Sequence, residues 1–478
     1  MDRPETFYIT TPIFYPNAKL HMGHAYTTTV SDILARYNRL AGKDAYLLTG
    51  SDENTEKLVR AAEAAGKDPK EYLGEIVEGF KDLYAKLGIS YDQFIRTTDE
   101  ERHWRGAQEF WKRLVAAGDI EKRSYEGLYC VGHEAFITEK DLVDGKCPDH
   151  NEAPMRLREE NYFFKLSKYT GEIKRKIESG ELEILPVARK NEILALLERG
   201  LEDISFSRPA DKMTLGIPVP DDPSQKIYVW GDALTNYVTA LGFGTEDDGL
   251  FRKFWPADVH VIGKDILRFH AAIWPGMLLS AGLPLPKRLL VHGFITSGGK
   301  KMSKSLGNVV DPLELIGEYG AEAVRYFLAR HISPFEDGDL TPDGFKEAYN
   351  ANLANGLGNL VNRVMKMAES NLDAPVEIRD EGMPREYKIA FESFNPQAAA
   401  EAVWNLIGQA DKTIQELQPF KLVKDHPMQA KEIIAGLVQQ VYSIGKLLEP
   451  LMPETSAAIL ASVAANKMPE KPLFMRKD

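Results

Sequence analysis

The order of hydrophobic and polar positions predicts that the chain opens with a strand that leads directly into a helix. Residues 7–11 (Phe-Tyr-Ile-Thr-Thr) are aromatic or β-branched, as in a buried strand, and Pro12 and Pro16 interrupt the run. From Gly23 to Tyr37 apolar side chains recur every three or four positions, which is the spacing of an amphipathic helix. A strand followed by such a helix is typical of a parallel α/β sheet.

The same pattern recurs after a long interruption. Residues 45–49 form a second apolar run that ends in Gly-Ser-Asp, and two similar runs follow residue 226. Residues 119–225 instead carry short segments, turns and both cysteines, so we expect an insertion there. The predicted fold class is therefore α/β, with a doubly wound parallel (Rossmann) sheet split into halves at 1–118 and 226–287.

The last part of the chain has a helical pattern. Apolar residues from Phe345 to Val364 recur at a spacing of four, and a second such series runs from Ile433 to Tyr442. We therefore expect residues 345–478 to form an α-helical bundle that follows the α/β region.

Composition narrows the class of protein. The chain has 478 residues, 44% of them hydrophobic, and a net charge of −12. No apolar run reaches the roughly 18 to 20 residues of a membrane helix, and the start of the chain leaves no room for a signal peptide, so no membrane contact is expected. Two cysteines do not make a disulfide framework, which favours a cytoplasmic protein. The acidic charge argues against DNA binding, but a local lysine cluster can still bind RNA.

Two short motifs carry the candidate chemistry. His21 and His24 flank Gly23 where the predicted helix begins, and a helix start attracts anions because its N–H groups are unpaired and its dipole favours negative charge. The sequence Lys-Met-Ser-Lys-Ser at 301–305 follows a glycine-rich stretch, so its two lysines can follow the charge of a triphosphate. Together the motifs predict a site that transfers an adenylyl group.

These motifs resemble the paired signatures of class I aminoacyl-tRNA synthetases, and the residues around them are similar to those of the methionyl-tRNA synthetase family. The matching stretches lie at 11–17, 48–53, 228–237, 262–266, 269–270 and 291–294. The resemblance implies that the insertion at 119–225 is a connective peptide, that 288–344 is a stem-contact region, and that 345–478 binds the anticodon. It implies a reaction in which methionine and ATP with Mg²⁺ form methionyl-adenylate, which then acylates the 3′-terminal adenosine of initiator or elongator tRNA(Met).

Candidate nucleotide residues follow from the motifs and from the resemblance. The candidate ATP-binding residues are His21, Gly23, His24, Gly263, Asp265, His292, Ile295, Lys301, Ser303 and Lys304. The catalytic residues among them are the two histidines, which bind phosphates, and the lysines at 301 and 304, which stabilise the developing charge. The family pattern implies that residues 263 and 265 contact the ribose and that residues 292 and 295 contact the adenine.

A second set of residues is expected to bind methionine. An apolar pocket with an aromatic wall suits a polarisable thioether, and the candidates are Ile13, Tyr15, Asp52, Trp230, Ala233, Leu234, Tyr237, Ile266, His270 and Trp274. Asp52 is the expected partner of the substrate ammonium, and Arg208 resembles an arginine near the family's site. Asn54-Thr55 replaces the usual His-Gly, and Gly231 replaces a bulkier residue, so the detailed pocket geometry is open.

A zinc site is predicted within the insertion, at residues 130–150. Cys130 and His133 form one pair and Cys147 and His150 a second, and two such pairs suit a tetrahedral structural zinc. The family usually has a cysteine at position 133, so two ordinary loops without metal are the alternative.

The resemblance also implies a tRNA-reading face on the helical bundle. Asn359 and Arg363 are four residues apart and share one helix face, and they match the family's anticodon-reading pair. Phe420 stands where the family usually has tryptophan, and it can still stack on a base.

Three other functions are compatible with parts of the sequence. The first alternative is a small-molecule nucleotidyltransferase of the same fold, and the second is a tRNA-binding relative without activity. A third keeps the class but changes the amino acid to isoleucine, valine, leucine or cysteine. The helical bundle argues against the first alternative and the intact motifs against the second. The stretch at 228–237 favours methionine over the other amino acids. The sequence up to Asp478 shows no sign of the extra tRNA-binding domain that makes some relatives dimers, so a monomer is expected.

Overall fold

Strands and helices alternate in the N-terminal part of the molecule, as its hydrophobic pattern predicts. The computed structural model describes residues 4–131, 135–137, 139–148, 151–213, 215–302 and 308–478. The first elements are β1 (Thr6–Phe14), α1 (Met22–Leu40), β2 (Asp44–Ser51), α2 (Glu56–Ala64), α3 (Pro69–Lys86), β3 (Gln93–Arg96) and α4 (Arg105–Ala116). A π-helical turn, Glu100–Trp104, leads into α4.

The predicted insertion consists mainly of short strands. Its elements are β4 (Ile120–Cys130), β5 (Ala135–Ile137), β6 (Met155–Phe164), α5 (Thr170–Ser179), β7 (Glu183–Leu185), α6 (Val187–Glu198), β8 (Ile204–Ser205), β9 (Ser207–Pro209), β10 (Pro218–Val219) and β11 (Asp222–Ile227). Most of these strands form two small antiparallel sheets, in the orders β5-β4-β6-β8 and β10-β11-β9.

The α/β pattern resumes after the insertion. The next elements are α7 (Val229–Ala233), α8 (Asn236–Thr239), α9 (Gly249–Phe254), β12 (Val259–Gly263), α10 (Trp274–Ser280) and β13 (Arg288–His292). They are followed by β14 (Ile295–Ser297), β15 (Lys300–Lys301), α11 (Pro312–Tyr319), α12 (Ala321–Arg330) and β16 (Gly338–Asp339). A π-helical turn, Phe269–Ile273, precedes α10.

A six-stranded parallel sheet, in the order β3-β2-β1-β12-β13-β7, forms the centre of this region. Side chains along a strand alternate between its faces, so Phe7 and Ile9 pack into one apolar core and Tyr8 into the other. The strand order reverses between β1 and β12, and ligands of such sheets bind beyond the carboxyl ends of the strands at this switch point.

One strand of the main sheet comes from within the predicted insertion. Strand β7 pairs in parallel with β13, with Ile184 opposite Leu289. The sequence pattern assigns residues 183–185 to the insertion at 119–225, because a strand of three residues is too short to show a period of its own. At this point the structure therefore differs from the domain boundaries that the sequence indicates.

The C-terminal region is helical, as predicted. Its helices are α13 (Pro342–Ala348), α14 (Asn359–Asn371), α15 (Arg385–Glu392), α16 (Pro396–Leu417), α17 (Pro419–Asp425), α18 (Pro427–Leu448) and α19 (Pro453–Ala465), and a π-helical segment, Tyr349–Gly358, links α13 to α14. The apolar core of this region is continuous with the core beside α1. One stacked pair across it joins Tyr37 of α1 to Phe391 of α15, with ring centroids 4.1 Å apart.

A buried ion pair joins α1 to the helical region. Arg325 of α12 lies 2.8 Å from Asp32 of α1, and neither side chain is exposed. The guanidinium also donates to the carbonyl oxygens of Leu87, Pro450 and Leu451 at 2.9 to 3.1 Å. We call this arrangement the α1 joint, since it connects α1, the end of α3 and the turn between α18 and α19.

No helix among the described residues is long and apolar enough to cross a membrane.

Candidate active site

The two histidines at the start of α1 are held by backbone N–H groups. The His21 N–H donates to Nδ1 of His24 at 3.1 Å, and the Gly23 N–H donates to Nδ1 of His21 at 3.0 Å. A ring nitrogen that accepts an N–H carries no proton, so in each neutral ring the proton is on Nε2. Both side chains can therefore offer an Nε2–H donor at the point where the helix begins.

Electrostatics keep these two rings neutral. Burial lowers the pKa of His21, with an opposing effect from Asp265 and a further lowering by Lys301. Burial also holds the pKa of His24 well below its usual value, and His21 and His292 add to this effect. Lys301, the first residue of the second motif, is therefore one of the charges that act on His21 of the first motif.

The ends of β12 and β13 supply further candidate nucleotide residues. A Cβ atom at Gly263 would lie 2.5 Å from Oδ1 of Asp265, so glycine lets this carboxylate rest against the backbone. His292 lies with Nε2 2.8 Å from the Thr27 hydroxyl and Nδ1 2.8 Å from the Gly293 carbonyl oxygen. Both nitrogens of His292 are thus occupied within the protein, and the ring can meet an adenine only through its face or carbon edge.

The second motif is described only in part. Lys301 is exposed in β15, and its Nζ lies 5.6 Å from the ring centre of Phe294. Ile295 is buried at the start of β14 beside it. Ser303 and Lys304 lie outside the described residues, so their predicted roles stay predictions.

The candidate methionine pocket has a neutral aromatic wall. The rings of Trp230 and Phe269 are stacked with centroids 3.7 Å apart. His270 donates from Nδ1 to the Ile266 carbonyl oxygen at 2.9 Å, because a carbonyl can only accept, and its Nε2 therefore accepts from the Tyr237 hydroxyl at 2.8 Å. Burial lowers the pKa of His270 to about 4 and raises that of Tyr237. The wall carries no charge near neutral pH, which suits a thioether.

The remaining pocket candidates lie around this wall at different depths. Ala233, Leu234 and Trp274 are buried, and the Trp274 ring lies 5.9 Å from that of Tyr237. Ile13 and Tyr15, at the end of β1, are partly exposed and pack against the same core. Phe269 was not among the predicted pocket residues, although the dipeptide Phe269-His270 matches the family sequence.

Asp52 lies where the carboxyl ends of β1 and β2 meet. Its N–H donates to the Phe14 carbonyl oxygen at 3.0 Å, and the residue is only 3% exposed. A Cβ atom at Gly50 would lie 2.2 Å from the Ile95 carbonyl oxygen, so glycine is required for β2 to approach β3 this closely. Asp52 is thereby held in a fixed backbone position just after the end of β2.

The two departures from the family pattern have structural explanations. A Cβ atom at Gly231 would lie 2.8 Å from the ring of Phe206, so Phe206 fills the space that a larger residue 231 would use. Asn54 is buried and donates both to the Thr97 carbonyl oxygen and to the Asp232 carboxylate. Arg208 lies nearby, with its guanidinium carbon 4.3 Å from the centre of the Tyr129 ring.

The predicted zinc site falls partly outside the described residues. Cys130 and Cys147 are both buried, at 2% and 1% exposure, whereas His133 and His150 are not described. Across the described ranges, no group of three or more His, Cys, Asp or Glu side chains could hold a metal ion. Two buried thiols are suitable zinc donors, and the four-ligand site stays a prediction.

The candidate anticodon residues lie on the helical region, far along the chain from the other sites. Asn359 is exposed at the start of α14, and Arg363 donates to Asp411 at 3.1 Å. Phe420, at the start of α17, is 52% exposed. A cleft of about 260 Å³ lies beside Arg363, between α14 and the segment from Met468 to Pro472.

Comparisons with known proteins show which proteins this chain is similar to. A family model described as tRNA synthetases class I (M) matches residues 7–156 and 150–365. A methionine–tRNA ligase of Clostridium acetobutylicum is 45% identical over 475 residues, which cover 96% of this chain and 73% of that protein. One from Caldanaerobacter subterraneus is 44% identical over 94% of this chain and 73% of its own length. The crystal structure of a Mycobacterium tuberculosis methionyl-tRNA synthetase bound by methionyl-adenylate matches with a TM-score of 0.91 and 37% identity, covering 98% of this chain and 100% of that one.

Proposed function

The chain belongs to the methionyl-tRNA synthetases, a family of class I aminoacyl-tRNA synthetases, and on that premise we propose that it activates methionine with ATP and transfers it to tRNA(Met). The observation that carries the proposal is the pair of Nε2–H donors on His21 and His24 at the start of α1, where the charge of Lys301 also acts on His21. Neutral donors at a helix start bind phosphate oxygens, and the lysine supplies the positive charge.

In the first step a methionine carboxylate oxygen attacks the α-phosphorus of ATP. The bond from that phosphorus to the bridging oxygen breaks, and pyrophosphate leaves. Such a step depends on positioning and on charge stabilisation. His21 and His24 donate to the phosphate oxygens, while Lys301 and Lys304, with Ser303, stabilise the leaving pyrophosphate. Mg²⁺, when bound to ATP, neutralises part of the phosphate charge.

The other candidate residues hold the two substrates in line. Gly263 and Asp265 contact the ribose of ATP, and His292 and Ile295 pack against the adenine. The Asp52 carboxylate pairs with the methionine ammonium. The thioether side chain enters the pocket formed by the remaining residues of the set, which are Ile13, Tyr15, Trp230, Ala233, Leu234, Tyr237, Ile266, His270 and Trp274.

In the second step a hydroxyl of the 3′-terminal ribose of tRNA attacks the carbonyl carbon of methionyl-adenylate. An ester forms, and AMP leaves. Asn359, Arg363 and Phe420 read the anticodon, since the first two offer hydrogen bonds and the third an exposed ring on which a base can stack. The protein acts on initiator and elongator tRNA(Met) as a cytoplasmic monomer.

A structural zinc is part of the proposal. Cys130 and Cys147 supply two buried thiols, and His133 and His150 would complete the set. Metal analysis of the purified protein tests this point. One zinc per chain that is lost in the Cys147→Ser variant is expected, and a metal-free wild type with full activity would contradict it.

The proposed function is tested by charging of tRNA. Wild-type protein is incubated with ATP, labelled methionine and transcripts of initiator and elongator tRNA(Met), and a transcript with an altered anticodon is the matched control. We expect methionylation of both cognate transcripts and a much lower rate with the control. Adenylate formation without charging of any tRNA would instead favour the small-molecule nucleotidyltransferase.

A further inference from the structure

The carboxylate of Asp232 lies at the centre of a buried hydrogen-bond network beside the candidate methionine pocket. Asp232 belongs to α7, which also carries Trp230 and Ala233. Its Oδ2 accepts from the side-chain amide of Asn54 at 2.9 Å, and its Oδ1 lies 2.6 Å from Nε2 of His103. None of the three polar side chains is more than 1% exposed. A buried carboxylate is held in place when both of its oxygens have donors.

His103 extends this network to the next helix. A carboxylate can only accept, so Nε2 carries a proton and donates to Asp232. The other ring nitrogen, Nδ1, lies within hydrogen-bond distance, 2.7 Å, of the hydroxyl of Thr239 in α8. We call Asn54, His103, Asp232 and Thr239 the Asp232 network. Through it, the π-helical turn before α4 contacts both ends of the segment that carries the pocket residues 230 to 237.

Asn54 connects the network to the loop that carries Asp52. Its amide nitrogen has two hydrogens, and one goes to the Thr97 carbonyl oxygen at 2.8 Å while the other goes to Asp232. A histidine side chain at this position could supply only one such donor from a neutral ring. Asparagine is therefore the residue that ties the end of β2, the end of β3 and the helix α7 together at a single point.

We propose that Asn54, His103 and Asp232 are positioning residues for methionine. They fix the distance between the Asp52 carboxylate, which pairs with the substrate ammonium, and the aromatic wall on α7 and α8, which receives the side chain. This inference rests on the proposed function. The close approach of Phe206 to Gly231 supports it, because it is a second contact that fixes the position of α7. Reactive groups that shift by a fraction of an ångström lose much of their effect.

The experiment compares Asn54 variants in methionine-dependent exchange of pyrophosphate into ATP. Asn54→Ala leaves Asp232 with one donor fewer, and we expect KM for methionine to rise about tenfold while KM for ATP changes less than about twofold. Asn54→His restores one of the two donors, so its KM for methionine is expected between those of Asn54→Ala and the wild type. Thr239→Val removes only the hydroxyl that holds His103, and a rise of about threefold in the same constant is expected.

The matched control is Asn38→Ala. Asn38 is also a buried asparagine that donates to a backbone carbonyl, Leu34 at 2.8 Å, but it lies on α1 away from the pocket. Equal rises of KM for methionine in Asn54→Ala and Asn38→Ala, or equal rises for methionine and ATP, would mean that Asn54 is merely structural. An Asn54→Ala variant that does not fold is replaced by Thr239→Val, whose unchanged KM for methionine would overturn the proposal. Absence of exchange in the wild type would instead refute the proposed function.

Discussion

The first turn and the middle of α1 both hold polar or charged side chains, but these side chains are arranged in opposite ways. At the first turn desolvation lowers the pKa of both His21 and His24, and the backbone occupies only one nitrogen of each ring. In the middle, Asp32 is charged: burial raises its pKa, but Arg325, Arg36 and two hydrogen bonds from Ser90 outweigh this and lower it. Every oxygen of that carboxylate has a donor within the protein.

The difference separates the groups that meet a ligand from those that hold the fold. A phosphate can be bound by neutral N–H groups that are oriented in advance and still have a free direction. A charge that is saturated within the protein can bind nothing further, and it serves to connect helices. We therefore expect substitutions in the middle of α1 to affect stability, and substitutions at its first turn to affect the rate of adenylate formation.

The largest effect is expected at the α1 joint. Asp32→Asn leaves the buried guanidinium of Arg325 without its counter-charge, and an uncompensated buried charge costs about 3 to 5 kcal/mol. The free energy of unfolding, measured in urea, should fall by this amount, while the rate of pyrophosphate exchange per folded molecule stays near that of the wild type.

A control for the joint is the ion pair between Lys86 and Asp82 on α3, which has the same length class, 2.7 Å, but is about half exposed. Asp82→Asn is expected to change the free energy of unfolding by less than about 0.5 kcal/mol. Equal losses of the free energy of unfolding in the two variants would show that the α1 joint is no stronger than a surface ion pair. They would contradict the role of Asp32 in holding the fold.

The next effect concerns the outward donor of His24. In His24→Asn the amide oxygen can still accept the backbone N–H at the helix start, but the Nε2–H donor is gone. We expect the rate constant of exchange to fall about 100-fold, which corresponds to about 2.7 kcal/mol of transition-state stabilisation. His24→Gln places an N–H near the original Nε2 and should recover much of the rate. Equal losses in both variants would indicate a role in helix capping only.

A third prediction concerns His270 in the methionine pocket and the pH dependence of the free energy of unfolding. The pKa of His270 is lowered from 6.5 to about 4, so between these values the unfolded chain binds a proton that the folded protein does not. The free energy of unfolding therefore has its full value, as far as His270 is concerned, above pH 6.5. It decreases as the pH falls towards 4, by about 2 kcal/mol at pH 5. The substitution His270→Gln removes this pH dependence. The free energy of unfolding of the wild type should therefore fall more between pH 7 and pH 5 than that of the variant. Parallel losses would mean that His270 is not held neutral.

The smallest effect is expected at the exposed Phe420. Phe420→Ala removes a ring on which an anticodon base can stack, which we expect to raise KM for tRNA(Met) about tenfold. Exchange without tRNA and the free energy of unfolding should not change, because the side chain is 52% exposed. Phe420→Trp restores a stacking surface and serves as the matched control. A drop in tRNA-independent exchange would contradict a role limited to tRNA.

Much of the fold was predictable because long elements show their period. The strand that precedes α1, the helix itself and the helices after residue 345 all appear in the hydrophobic pattern, and the structure has them. Strand β7 could not be predicted in this way, since three residues carry no period. Its place at the edge of the sheet is decided by pairing with β13, which is distant in sequence.

In the candidate site, too, some residues can be predicted from the sequence and others only from the structure. His21, His24 and Lys301 stand in short motifs whose chemistry can be inferred from residue types alone. His103 gave no signal, because a single histidine on a charged segment indicates nothing until Asp232, 129 positions later, is found against it. The compensation of Gly231 by Phe206 is likewise a matter of three-dimensional packing. Motifs can be recognised in the sequence, whereas the distant residues that support a motif can be identified only in the folded structure.

If the neutral donors of α1 and the aromatic pocket together form a site for making methionyl-adenylate, the enzyme should activate methionine and reject other amino acids. The most direct test is the exchange of pyrophosphate into ATP with each of the twenty amino acids in turn, without tRNA. We expect exchange with methionine and rates near background with leucine, isoleucine, valine and cysteine. Exchange that is equal for these amino acids, or absent with methionine, would contradict it.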